Sequence, residues 1–390
     1  MNPSASGWIN KLLRTLFKNK NYARKTVSGL YHELRTTGFL YGSSLSIVNN
    51  YVYSDDFTLE ERSKLNLVIA LNCAYKNSKE EKPFVKSLIE FYKAINQHKT
   101  TLFNDLFGER MTAQTLERII HRRVQIDPNI LTKSFNYFVT NAFLFLDVLA
   151  YIQFLKNNAI SEDYLKNLEA TVEAITYKVL QSKENKTVYD KNLIDLIEAS
   201  LRYQNYRRIN YDKAIKQVKN AAERKYLYDI ACMTSWTDHK LDSKEEIVLH
   251  ELASDLNLSD RDRQKAIEEI NRFYSQNLQN ISFLSSKNAV KNFYDNSSRL
   301  VSKLLSRNSK RLQRELRESK EVVRLIGKST IQDLSPEEQK QLQDQLLDIF
   351  KTIPSLAIFM LPGGALLLPL VVKIIPKLLP SSFDDNRLED

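Results

Sequence analysis

Apolar residues return every three or four positions through most of this chain, in runs such as SKLNLVIALNCAYKN (63–77), FVKSLIEFYKAI (84–95) and SFNYFVTNAFLFLDVLAYIQFLKNN (134–158). That spacing predicts helices with one buried face, not strands with alternating faces. The breakers agree: neither Gly nor Pro occurs from Asn129 to Ile326, and a β-protein needs those residues for its tight turns. Helix starts are marked by Thr58-Leu-Glu-Glu61, Ser243-Lys-Glu-Glu246 and Ser335-Pro-Glu-Glu338, each a hydroxyl N-cap three residues ahead of a glutamate; the last also has proline at the first helical position. The expected fold class is all-α, a multi-helix body. The run 134–158 is greasy enough to raise a membrane question. Asn136, Asn141, Asp147 and Gln153 interrupt it, and each is costly in hydrocarbon, so a buried core helix is expected.

The amino terminus carries a different pattern. Trp8, Ile9, Leu12, Leu13, Leu16 and Phe17 recur at helical spacing, and six basic residues including Lys11, Arg14 and Lys18 fall before His32 with no acid among them. This is a basic amphipathic helix, docked on its own domain or lying on a membrane surface. Its apolar runs are too broken for a secretory signal peptide. The whole chain of 390 residues has a net charge of +10, which draws acidic partners without naming them. Its two cysteines, Cys73 and Cys232, match no metal or redox spacing and suit a reducing compartment. The expected divisions are a basic segment (1–50), a helical region (51–125), a second helical domain (126–290), a basic helical segment (291–333), a greasy segment (334–383) and an acidic tail (384–390).

Five of the nine prolines lie in the stretch IPSLAIFMLPGGALLLPLVVKIIPKLLPSSF (353–383). From Ile353 to Val372 there is no charge, a length that crosses a hydrocarbon core as a helix, with Lys373 and Lys377 placed to snorkel. Pro354, Pro362, Pro369 and Pro376 are spaced eight, seven and seven apart, which sets them on one face of such a helix and kinks it. The competing expectation is a hydrophobic hairpin, broken at Gly363-Gly364, that covers the protein's own core.

Candidate chemistry is sparse. In SWTDHKLDSKEE (235–246), Asp238, Asp242, Glu245 and Glu246 are oxygen donors for a hard divalent cation; the same glutamates also suit a capping box and a helix dipole. No Gly-rich phosphate loop, nucleophile elbow, HExxH pair or CxxC is present, so no enzyme and no dedicated cofactor are expected. Arg307, Arg311 and Arg314 belong to a basic run (297–328) that lacks interleaved aromatics and is diluted by Glu315, Glu318 and Glu321, which disfavours a nucleic-acid partner.

Two resemblances add to this reading. Residues 227–270, with Asp238 in the turn, Glu245 at the helix start and the break Leu256-Asn-Leu-Ser259, resemble the TerB-like (DjlA-like) helical domain, whose acidic face is linked to cations; His239 stands where that family usually has glycine. Residues 334–383 resemble the LETM family of membrane proteins. The matching positions are Asp348-Ile-Phe, Pro354, Pro362, Pro369, Lys373, Pro376 and the closing Leu379-Pro380-Ser-Ser-Phe383. The two together resemble bacterial LETM-related, biofilm-associated proteins. This implies a non-enzymatic membrane-associated protein working through protein contacts or self-association. Component of K⁺, Ca²⁺ or H⁺ transport, ribosome-associated membrane factor and metal-binding soluble protein are the alternatives. Ala365 replaces the family's mid-span acid, which argues against an exchanger. With the chain stopping at Asp390, the family's ribosome-binding-like part and EF-hand are expected to be missing. Basic residues before the stretch and the acidic DDNRLED after it place the large amino-terminal region in the cytoplasm, at a bacterial inner membrane; a peripheral cytoplasmic protein is the alternative.

Overall fold

A computed structural model describes residues 1–53, 57–96, 111–124, 143–183, 210–218, 220–235, 243–277, 301–329, 332, 334–353, 356 and 368–378. Among these, all regular structure is helical, as the sequence pattern predicts. The chain divides into two units, residues 1–126 with 135–285 and residues 127–134 with 286–390, each with its own hydrophobic cluster.

The first unit opens with α1 (Trp8–Lys18), α2 (Lys20–Ala23) and α3 (Val27–Thr36), followed by α4 (Leu59–Lys76), α5 (Phe84–Asn96), α6 (Ala113–Val124) and α7 (Leu144–Asn157). It continues with α8 (Glu162–Ser182), α9 (Tyr211–Gln217), α10 (Ala221–Ser235), α11 (Ser243–Asp255) and α12 (Asp260–Asn277). Helix α10 is central to the second half, packing on α8, α11 and α12, while α4 packs on α7.

The amino-terminal stripe docks on its own domain. Trp8, Ile9, Leu12 and Leu16 are all buried, against α6 among others. Gly7 has no side chain with which to cap α1, so Glu117 of α6 does so from outside, accepting the backbone N–H groups of Gly7 and Ile9, both at 3.0 Å. A carboxylate at this helix end satisfies orphan donors and the positive end of the dipole together.

Asparagine replaces glycine at several turns. The residues other than glycine with positive φ among the described ones are Asn49, Asn50, Asn158 and Asn257; Asn158 ends α7 at φ 52°, and Asn257 follows α11. Asparagine tolerates this left-handed region better than other side chains, and Asn158 and Asn257 make such turns inside the stretch that has no Gly. Glycine is required at Gly38, with φ 79°, where a Cβ would lie 2.1 Å from the Ser43 carbonyl oxygen and 2.3 Å from the Phe273 ring. The turn it permits sends Phe39, Leu40 and Tyr41 into the core, none with any exposed surface.

Two aspartates inside apolar runs are fully buried, and each meets an arginine. Asp147, which argues in the sequence against a membrane span, accepts from Arg123 Nε and Nη2 at 2.5 and 2.9 Å and from Tyr92 OH at 3.1 Å. Asp229 of α10 accepts from Arg35 Nε of α3 at 3.0 Å and from the Tyr31 hydroxyl. Burial pushes the Asp229 carboxyl above its ordinary range, and Arg35 and Tyr31 pull it back. Asn136 and Asn141 lie outside the described residues.

Removing one member of such a pair strands a buried charge. Arg35→Met is expected to destabilise the protein by about 3–5 kcal/mol, read as a lower urea midpoint; a midpoint unchanged from wild type would show that Asp229 does not depend on this guanidinium.

Candidate functional site

The LETM-like residues fall in the second unit. Residues 301–307 are helical, followed by α13 (Ser309–Glu318), α14 (Lys320–Ser329), α15 (Pro336–Thr352) and α16 (Leu368–Leu378). The basic run expected as one helical segment is therefore broken, at Asn308 and at Ser319. Asn308 turns its side-chain amide onto the Leu304 carbonyl at 2.7 Å, the local competition that makes asparagine a poor interior helix residue. The breaks let Leu305, Leu312, Leu316, Val322, Leu325 and Ile326 share one cluster.

Ser335 begins α15 with the expected capping box: its hydroxyl accepts from Glu338 N at 3.2 Å and its own N–H donates to the Glu338 carboxylate at 3.0 Å. Lys328, from the end of α14, donates to both carboxylate oxygens of Glu338 at 2.7 and 2.9 Å, and holds that carboxyl below its usual range. The other end of α15 is tied to α13, where the Arg311 guanidinium donates to the Thr352 carbonyl oxygen, a cation placed at the negative end of a helix dipole. The Thr58 box also forms, with Glu61. The third, at Ser243, adjoins residues outside the described set.

The proline-rich stretch does not continue α15. Ile353 is extended, at φ −114° and ψ 100°, because the ring of a following proline clashes with a helical residue before it. The expectation of one kinked helix running from Ile353 is thus corrected at its first residue. Leu356 is buried in the cluster with Leu334, Leu342, Leu346, Ile349 and Phe350, and so are Leu368, Val371 and Ile375 on the inner side of α16. Helix α16 packs on α14; its 11 residues rise only about 16 Å, roughly half a hydrocarbon core. Among the described residues no helix is long and apolar enough to cross a membrane.

Within α16, Pro369 occupies the first turn, where its missing N–H costs no hydrogen bond. Pro376 is interior and deprives the preceding turn of a donor. Lys373 is exposed. Asp348 is also exposed and pairs with Lys351 at 2.6 Å, while its neighbours Ile349 and Phe350 point inward. Pro354, Pro362 and Pro380 lie outside the described residues, as does Ala365.

Residues 334–390 match the family model described as LETM1-like, RBD. This carboxyl-terminal segment is LETM-related. The matched model is the one described as RBD, which runs against the expectation that the ribosome-binding-like portion is missing. No curated protein matches the chain, and no solved structure does.

The match does not reach the TerB-like run, whose likeness rests on its residues. That run covers much of α10, α11 and α12, with the expected break between the last two at Asn257. Of the candidate metal ligands, Asp238 and Asp242 are outside the described residues. Glu246 is exposed, and Glu245 is fully buried with its carboxylate 3.3 Å from the Lys183 ammonium. Lys183 also donates to the Ser235 carbonyl oxygen at 3.4 Å, so it joins the ends of α8 and α10 to the start of α11. The sequence reading overlooked Lys183; nothing in its local pattern separates it from a surface lysine. Among the described residues no three His, Cys, Asp or Glu side chains gather as a metal site. Lys11, Arg14 and Lys18 are exposed on α1, and Arg311 and Arg314 on α13; Arg307 is half-buried.

Leu346 has no exposed surface and sits mid-helix in the core of the second unit. Leu346→Ala is expected to cost about 2–5 kcal/mol and to speed amide exchange across 301–353 while leaving α10 protected. Exchange in 301–353 unchanged from wild type would show that this cluster does not hold the unit together.

Proposed function

We propose that the chain is a non-enzymatic, membrane-associated helical protein of the LETM-related type. It is held at a bacterial inner membrane with its large amino-terminal region on the cytoplasmic side, and it works in envelope or surface-attachment physiology through protein contacts. The observation that carries this reading is the match of residues 334–390 to a LETM1-like family model. Charge supports the orientation, since basic residues precede the stretch and the acidic DDNRLED follows it. Helix α16 has the one-sided character such a segment needs, with Val371 and Ile375 inward and Lys373 outward. The packing of Leu356, Leu368 and Val371 in the unit's own cluster means that stable insertion requires this cluster to open or to rest on the bilayer as a body.

Carbonate washing of membranes from expressing cells tests this directly. The full chain is expected in the pellet, and deletion of residues 353–377 is expected to move it to the supernatant. Complete recovery of the full chain in the soluble fraction, unaffected by the deletion, overturns the reading.

The family model's description as an RBD, read as a ribosome-binding domain, favours a second reading, that of a ribosome-associated membrane factor. Lys310, Arg311, Arg314 and Arg317 are exposed on α13 and supply cationic groups of the kind that bind phosphate backbones. Purified chain is expected to sediment with bacterial ribosomes at low salt and to lose about tenfold in affinity on Arg314→Glu/Arg317→Glu. Failure to sediment with ribosomes at any salt concentration rules this reading out.

A further inference from the structure

The outward face of α1 carries no known role in the reading above. Successive residues turn by about 100° in a helix, so the buried Trp8, Ile9, Leu12 and Leu16 form one arc and Asn10, Lys11, Arg14, Phe17 and Lys18 the opposite one. All five are exposed. Arg14 falls near the centre of that arc, with Lys11 and Lys18 to one side and Phe17 to the other. Phe17 is 88 % exposed, and the half-buried Leu13 lies one turn before it. Lys20 and Arg24, just beyond in the chain, are exposed as well. Among the described residues none of these five basic side chains has an ion-pair partner, in contrast to Lys25, which is paired with Glu33. A single exposed aromatic is ordinary; an exposed aromatic at the edge of an uncompensated basic face is not.

We propose that this face of α1 and α2 docks on an anionic lipid surface, with Phe17 and the edge of Leu13 entering the headgroup boundary and Lys11, Arg14, Lys18, Lys20 and Arg24 contacting acidic headgroups. The chemistry favours lipid over single-stranded RNA. RNA grooves stack successive bases on several aromatic side chains, whereas this face offers one aromatic. An interfacial helix needs an apolar edge flanked by cations, which this face provides. The other side of α1 stays in the protein core, so docking requires no unfolding. This deepens the membrane reading above, with a contact made by the first unit alone.

A local probe separates this contact from any insertion by the carboxyl-terminal segment. Asn10→Cys in the full chain places a thiol on the exposed arc. The native Cys73 and Cys232 are buried, and burial pushes the Cys73 thiol up to about 11, so an environment-sensitive fluorophore goes to position 10. Its emission is expected to shift to the blue with vesicles containing phosphatidylglycerol and not with pure phosphatidylcholine. Each basic residue near such a surface is worth about fivefold in affinity, so Arg14→Glu/Lys18→Glu is expected to weaken the response at least about 25-fold. Phe17→Ser is expected to weaken it about tenfold. Unchanged circular dichroism in these variants confirms that only the surface was altered. Three results overturn the proposal: no shift with anionic vesicles, an equal shift with neutral ones, or an undiminished shift in the Arg14→Glu/Lys18→Glu variant. A response to single-stranded RNA that the charge reversals abolish, without one to vesicles, assigns the face to RNA instead. A carbonate result for the carboxyl-terminal deletion leaves this outcome untouched.

Discussion

A carboxylate with no exposed surface has to find a cation or give up its charge, and Asp229 finds Arg35. The partners are 194 residues apart in the chain, and their meeting joins α3 to the central helix α10. Gly38 lies two residues beyond the end of α3, and the seating of α3 fixes where its turn delivers Phe39, Leu40 and Tyr41 into the core. Tyr41 packs at a tilt against the rings of Phe273 and Tyr274 of α12, so the packing of the last helices of the first unit depends on the geometry of its earliest ones. Asp147 and Arg123 repeat the device between α6 and α7. Both pairs are poor sources of net stability, given the desolvation of two charges, but they penalise any arrangement that separates the partners.

In the second unit the constraint is steric. Proline at 354 excludes a helical Ile353, so α15 must stop, and the apolar residues beyond it become available to fold back on the cluster built by Leu342, Leu346, Ile349 and Phe350. The clamp between Lys328 and Glu338 and the contact from Arg311 to Thr352 fasten the two ends of α15 to its neighbours. A segment that composition marks as membrane-like thus has at least part of its apolar surface inside a small helical body. This sets the LETM-related segment apart from a stretch whose apolar side chains all face outward.

Much of this was legible in the chain. The helical class followed from periodicity and from the want of Gly and Pro over a long central stretch, because α-helices alone need so few special turns. Capping boxes at Thr58 and Ser335 were readable since their partners lie three residues apart. The LETM relation was readable because its proline and Asp-Ile-Phe positions are local. The acid in LFLDVL marked that run as a core helix and not a membrane span, yet nothing local named its partner Arg123, and nothing local singled out Asp229 or Arg35. The break at Ile353 was also readable from the following proline, but the uncharged length of the stretch suggested a continuous helix instead.

The sequence by itself determined which segments are helical, where several of them start, and that one terminal stretch is greasy and proline-marked. These are properties of neighbours within a few residues, set by backbone sterics and side-chain periodicity. Only the tertiary structure decided that α1 buries its tryptophan stripe and leaves Phe17 among exposed cations. It likewise decided that Glu245 faces Lys183 and that Leu368 and Val371 turn inward. Such outcomes depend on which distant surfaces exclude water together, and hydrophobic burial, being non-directional, leaves no record of its partner in the local pattern.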